Sequence, residues 1–215
     1  MAFFVHLKQI FITEKMLSCI LFAGVPALLF YGFSLVGLWT AGFDLIEVLR
    51  DPAQQSGQSS FLGFVSNIGV WLWVSSAAIL FYSTITGDLV TKDGQRELLF
   101  LVGILSTILA VDDFFMIHDR YINQKICYLT YAVCVEFLLI RHYKTIIEIE
   151  GFAFLLAGLL LSLSILTDLT QNHIPLHYSY VQVFEEGFKF IGGAIWLYFS
   201  FRIASFRKTP SRVRN

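Results

Sequence analysis

Apolar residues run along this chain in long stretches separated by short polar ones. A helix needs about 20 mostly apolar residues to cross a hydrocarbon core of roughly 30 Å. Six stretches come close to that length, at about 16–40, 61–84, 98–118, 126–140, 152–172 and 179–204, the fourth being the shortest. They predict an all-α fold: a polytopic membrane bundle of six transmembrane helices forming one domain over 1–215, with a basic tail at 205–215. The loops between them are short, so no soluble domain fits among the spans. Residues 42–50 (GFDLIEVLR) read as a short amphipathic helix at the interface, and 51–60 (DPAQQSGQSS) as a polar loop.

Composition agrees with the pattern. The chain is 56% hydrophobic and 14% charged, against about 25% charged in a soluble domain. Its 22 Phe and 4 Trp are too many to hide inside a water-soluble body of 215 residues. The net charge of −1 leaves no basic footprint for nucleic acid. Positive charge sets the orientation. With the N-terminus cytoplasmic, eleven Lys and Arg fall on inside segments and three (Arg50, Arg120 and Lys125) outside, with Lys189 left inside a span. Both termini are therefore expected in the cytoplasm, in a bacterial inner (plasma) membrane. Cys19, Cys127 and Cys134 sit in or beside apolar runs, which argues for packing rather than disulfides.

The polar residues inside the spans are not scattered. Ionisable groups at mid-span cost roughly 2.5–3.5 kcal/mol each and usually face the bundle interior. The third span ends VDDFFMIHDR, so Asp112 and Asp113 stand about 9 Å before His118 if the helix continues at 1.5 Å per residue. The fifth ends with Thr167, Asp168 and Gln171, and the next loop carries His173 and His177. The sixth opens with Gln182, Glu185, Glu186 and Lys189, and the second with Ser66 and Asn67. Spans two, three, five and six thus place their polar groups at one level, near the extracytoplasmic leaflet. The expected result is an outward-opening cavity. Asp112 and Asp113 would be its core acids, Glu185, Glu186 and Asp168 its facing wall, and Lys189 its internal counter-ion.

Five embedded acids against one lysine call for protons, a cation or water. Three readings follow. His173 and His177 form H-x-x-x-H and, with His118 and Asp113, would supply ligands for zinc or another divalent cation. Such a site would activate water for a membrane-embedded hydrolase of a lipid or amphiphile, with Asp112, Asp113, Asp168, Glu185, Glu186 and Lys189 as its acid–base and charge groups. Pro175 stands between the two His and disfavours helix at Ile174. The second reading is a non-enzymatic subunit or assembly partner of a larger membrane complex, the charges locking helices together. The third is proton- or cation-coupled transport, for which the inner half offers only Glu136 and some hydroxyls. Membrane lipids and a membrane-protein partner are the expected contacts, and nucleic acid is not.

Overall fold

A computed structural model describes residues 21, 25–44, 49, 52–59, 61–86, 94–175 and 177–206. The described residues are all-helical, with no strand. Most of the expected first span before Val25, the amphipathic segment at 45–48 and the basic tail beyond 206 lie outside them. The chain divides into two compact units, 1–62 and 63–215. The first contains α1 (Val25–Thr40) and a single turn, α2 (Pro52–Gln55). On α1, Leu28, Phe33, Val36 and Trp39 are exposed.

The second unit holds α3 (Phe64–Thr86), α4 (Gln95–Phe115), the one-turn α5 (Ile117–Arg120), α6 (Gln124–Thr170) and α7 (Tyr178–Ser205), with a 3-10 turn at Gln171–His173. Among the described residues three helices are long and apolar enough to cross a membrane: Phe64–Thr86, Gln95–Phe115 and Gln124–His173. This corrects the expected six. The physical reasons differ by segment. The described part of the first span is only 16 residues. The last carries Glu185, Glu186 and Lys189 in its first turns and Arg202 near its end. The fourth and fifth are joined in one helix of 47 residues.

That long helix does not run straight. Tyr128 and Asp168 would stand about 60 Å apart along a straight helix at 1.5 Å per residue, yet the Tyr128 hydroxyl donates to Asp168 Oδ2 at 2.7 Å. The backbone leaves helical geometry at His142 (φ −121°, ψ 17°) and Glu150 (φ −162°, ψ 61°). The chain folds back there, and α6 becomes two arms, 124–141 and 151–170, joined by the short piece 143–149. Two ion pairs staple this end: Arg141 Nε to Glu97 Oε1 at 3.3 Å and Arg202 Nε to Glu150 Oε2 at 3.1 Å.

The core lies where α3, α4, α6 and α7 meet, around Trp196, Phe154 and Phe199, whose ring centroids are 5.3–5.9 Å apart. Close approach needs small residues. A Cβ on Gly192 would lie 3.0 Å from Leu161 Cγ, and one on Gly103 would lie 3.1 Å from the Phe81 ring. Several buried polar atoms in this core are matched across helices. Trp196 Nε1 donates to Ser106 Oγ at 2.9 Å, and Ser106 returns its own proton to the Val102 carbonyl. Gln95 Nε2 donates to the carbonyls of Ile203 and Phe206 (3.2 Å each), and Ser83 Oγ to that of Ala204 (3.2 Å). The free carbonyls that end α7 are thereby satisfied from neighbouring helices. Outward-facing residues such as Trp71, Phe100, Leu129, Phe137 and Ile140 are exposed and apolar, a surface suited to lipid.

Candidate functional site

A cavity of about 370 Å³ opens among α3, α4, both arms of α6 and α7. Asp112, Asp113, His118, Tyr128, Asp168, Glu185 and Lys189 gather at one end of it. From there it runs between the two arms past Val135, Leu139, Leu155 and Leu159 to Phe154, over about 17–21 Å of helix at 1.5 Å per residue. The polar groups on the way are few: Glu136, Ser162 and Ser164, with the Ser162 hydroxyl turned back to the carbonyl of Gly158.

Three carboxylate clusters build the polar end. The first depends on a break in α4. The helix stops at Phe115 because Met116 adopts a left-handed conformation (φ 52°, ψ 46°), the only non-glycine positive φ among the described residues. His118 does not continue 9 Å along the axis but folds back onto Asp112. Its backbone N–H donates to Asp112 Oδ1 at 2.9 Å, and its Nδ1 to Oδ2 at 2.7 Å. The Tyr131 side chain lies beside this carboxylate on the cavity wall. His118 Nε2 lies 3.5 Å from Asp119 Oδ1. Beyond the end of the span, His118 is held above the ordinary imidazole pKa of 6.5. The hydrogen bond it donates to Asp112 is the main cause, opposed by burial and aided by the charges of Asp112, Asp119 and Asp113.

The second cluster joins the two arms of α6. Asp168 Oδ2 accepts from the Tyr128 hydroxyl and from the Gln124 amide, while Oδ1 accepts from Gln171 Nε2 at 2.9 Å. Glu185, held by Gln182 Nε2 at 2.8 Å, lies near enough for its charge to act on Asp168. In the third, Lys189 Nζ contacts Glu186 Oε1 at 2.8 Å and, across to α4, Asp113 Oδ1 at 3.3 Å. Asp113 Oδ2 is buried and has no hydrogen-bond partner among the described residues.

The six residues expected as acid–base and charge groups thus lie close together, but not all on the cavity wall. Glu186 turns to Lys189 and does not line it. Ser66 and Asn67 do not line it either, and α3 reaches it through Trp73. His173 and His177 are exposed and off the wall. Pro175 and the 3-10 turn at Gln171–His173 break the i,i+4 register between them, and His177 instead caps α7, its Nδ1 accepting from Ser179 N at 3.4 Å. The ligand set His118, His173, His177 and Asp113 is therefore not assembled, and among the described residues no three His, Cys, Asp or Glu side chains are placed to hold a metal ion. Sequence reasoning found the fourth stretch as an apolar run but missed its polar face. Gln124, Tyr128 and Tyr131 share one face of it at i, i+4 and i+7, a stripe of hydroxyl and amide groups among aliphatic residues.

A family model described as a domain of unknown function, DUF8692, matches residues 18–203. The chain belongs to that family. No curated protein and no solved structure matches it. The family match covers every residue of the cavity, so the site falls within the family's defining region.

Proposed function

We propose that this member of the DUF8692 family is an integral membrane protein that takes an amphiphile into the cavity, hydrocarbon chain between the arms of α6 and head group among the three carboxylate clusters. The carrying observation is the cavity's two-ended lining. Ionisable groups crowd one end, and a mostly aliphatic channel leads from it, at a volume within the roughly 300–1,000 Å³ of small-molecule sites. A pathway for ions would need polar groups along its whole length, which the stretch from Val135 to Phe154 does not supply.

In this reading both termini are cytoplasmic, α7 is a further span, and the carboxylate end faces the outer leaflet of a bacterial inner membrane. The basic residues Arg96, Arg141, Lys144 and Arg202 then lie at the inner surface, as the distribution of positive charge favours. The charges of α7 turn into the site, so the helix need not present them to lipid.

The chemistry that fits is hydrolysis of an ester or amide in the head group. Asp112 fixes the ring of His118 by accepting from Nδ1, leaving Nε2 to take a proton from water or return one to the leaving group. Lys189 supplies positive charge near a developing oxyanion. The test is turnover of fluorogenic ester and amide amphiphiles by protein in nanodiscs, beside His118→Gln. Turnover by the native chain that falls at least about a hundredfold in the variant, the lower end of the usual range for losing a general base, supports the reading. Equal rates for the two proteins, or no binding of any amphiphile, would sink it.

A further inference from the structure

A second apolar cavity, of about 350 Å³, lies on the other side of the gap between α4 and the first arm of α6. Its walls are chiefly Ile108, Val111, Ile117, Ile122 and Ile126. Nothing in the proposed chemistry uses it. Asp112 and Tyr131 line both cavities, one from α4 and the other from the first arm of α6. They form a polar partition, with an aliphatic channel leading away on each side. The geometry of α4 produces this split. Leu105, Leu109, Asp112 and Asp113 present to the first cavity, whereas Thr107, Ile108 and Val111, on average about 140° around the helix, present to the second.

We infer that the ligand carries two hydrocarbon chains joined at a compact polar linker: one chain occupies each cavity, and the linker sits on the Asp112–Tyr131 partition beside His118. This rests on the amphiphile reading above and narrows it to double-chain lipids. A single-chain amphiphile would leave the second cavity without a role. A second copy of this chain, or an ordinary bilayer lipid resting in the groove, would fill it without any link to the first.

The test compares a monoacylglycerol and a diacylglycerol of one chain length, each displacing a fluorescent single-chain amphiphile from the purified full-length protein. Two variants separate the cavities. Gly158 lines the first, and a Cβ there meets nothing within 4 Å, so Gly158→Phe fills that channel without a backbone clash. Thr130 lines only the second, and its hydroxyl bonds its own helix at Ile126, so Thr130→Trp fills that side alone. Val111→Phe, on the facing helix, serves if Thr130→Trp does not fold.

The native protein is expected to prefer the double-chain lipid by about tenfold or more, a difference of 1.4 kcal/mol. Thr130→Trp should abolish that preference and leave the single-chain affinity unchanged, while Gly158→Phe weakens both ligands. Equal affinities in the native protein, or a preference that survives both Thr130→Trp and Val111→Phe, overturn the two-chain assignment and leave the first cavity intact. Failure of both ligands to bind, with no response to Gly158→Phe, overturns the amphiphile reading and this inference with it.

Discussion

Replacing Asp112 by asparagine keeps the shape of the side chain and removes the charge that holds His118. Asp112 is buried, its side chain 9% exposed, and accepts two bonds from His118, one from the backbone and one from the ring. Hydrogen bonds to an ionised group contribute about 1.5–3 kcal/mol and neutral ones about 1, so neutralising the acceptor of two bonds costs about 1–3 kcal/mol. For a chain of this length that lowers the melting temperature by about 2–12 °C, at roughly 2–4 °C per kcal/mol. The sharper signature is pH dependence. The folded-state pKa of His118 is raised, chiefly by Asp112. The stabilisation is therefore fully present below the ordinary value of 6.5 and is lost as pH rises through the folded value. Melting curves in detergent from about pH 6 to 9 should show the native protein's advantage over Asp112→Asn shrinking with pH. Asp119 and Asp113 also face the imidazole, so some slope remains in the variant. Parallel curves for the two proteins would refute the coupling of His118 to Asp112.

Three further outcomes are expected. Lys189→Met removes the only cation contacting Asp113 and Glu186 among the described residues, and breaking a buried pair from one side costs about 3–5 kcal/mol. Adding Asp113→Asn should recover part of that loss, and a double variant no more stable than the single one would contradict the pairing. Gly192→Val forces a side chain against Leu161, where even a Cβ lies at 3.0 Å, and should lower thermal stability by about 1–3 kcal/mol; an unchanged melting temperature would mean that α6 and α7 are not in such close contact. Met116→Gly relieves a left-handed conformation that costs an L-residue roughly 1–2 kcal/mol, so melting should rise by a few degrees. A fall would show that the Met116 side chain contributes more than the strain costs.

How much of this was legible in the sequence depended on the kind of signal. Apolar runs reveal helices that prefer lipid, and an all-helical chain with membrane-compatible helices follows from them directly. The turn between the arms of α6 was visible as the charged interval Arg141–Glu150. Its form was not, because the break consists of two backbone angles at His142 and Glu150, and neither residue is a Gly or Pro. The fold-back of His118 was hidden for the same reason: Met116 carries no sequence signal for a left-handed cap. Tyr128 and Tyr131 were passed over because an aromatic residue in an apolar run reads as packing until its hydroxyl has a partner. H-x-x-x-H misled in the opposite way. A spacing motif has meaning only on a continuous helix, and Pro175 removes the helix.

The arrangement of the acids argues for binding rather than cohesion. Asp112 is tied to the segment after α4, Asp168 joins the two arms of α6, and Asp113 reaches across to α7. Each could be called a staple, but hydrogen bonds between membrane helices average only about 0.6 kcal/mol, while each ionisable group in a span costs several times that. Small residues and hydroxyls already join these helices at Gly103, Gly192 and Ser106 without that cost. The acids also leave one another partly unmatched. Glu185 and Asp168 share the cavity wall, and one oxygen of Asp113 has no donor among the described residues. A set selected for packing would have paired them off or replaced them with neutral residues. Their unmet demand for donors and positive charge is concentrated where an aliphatic channel begins, and a bound polar head group would meet it.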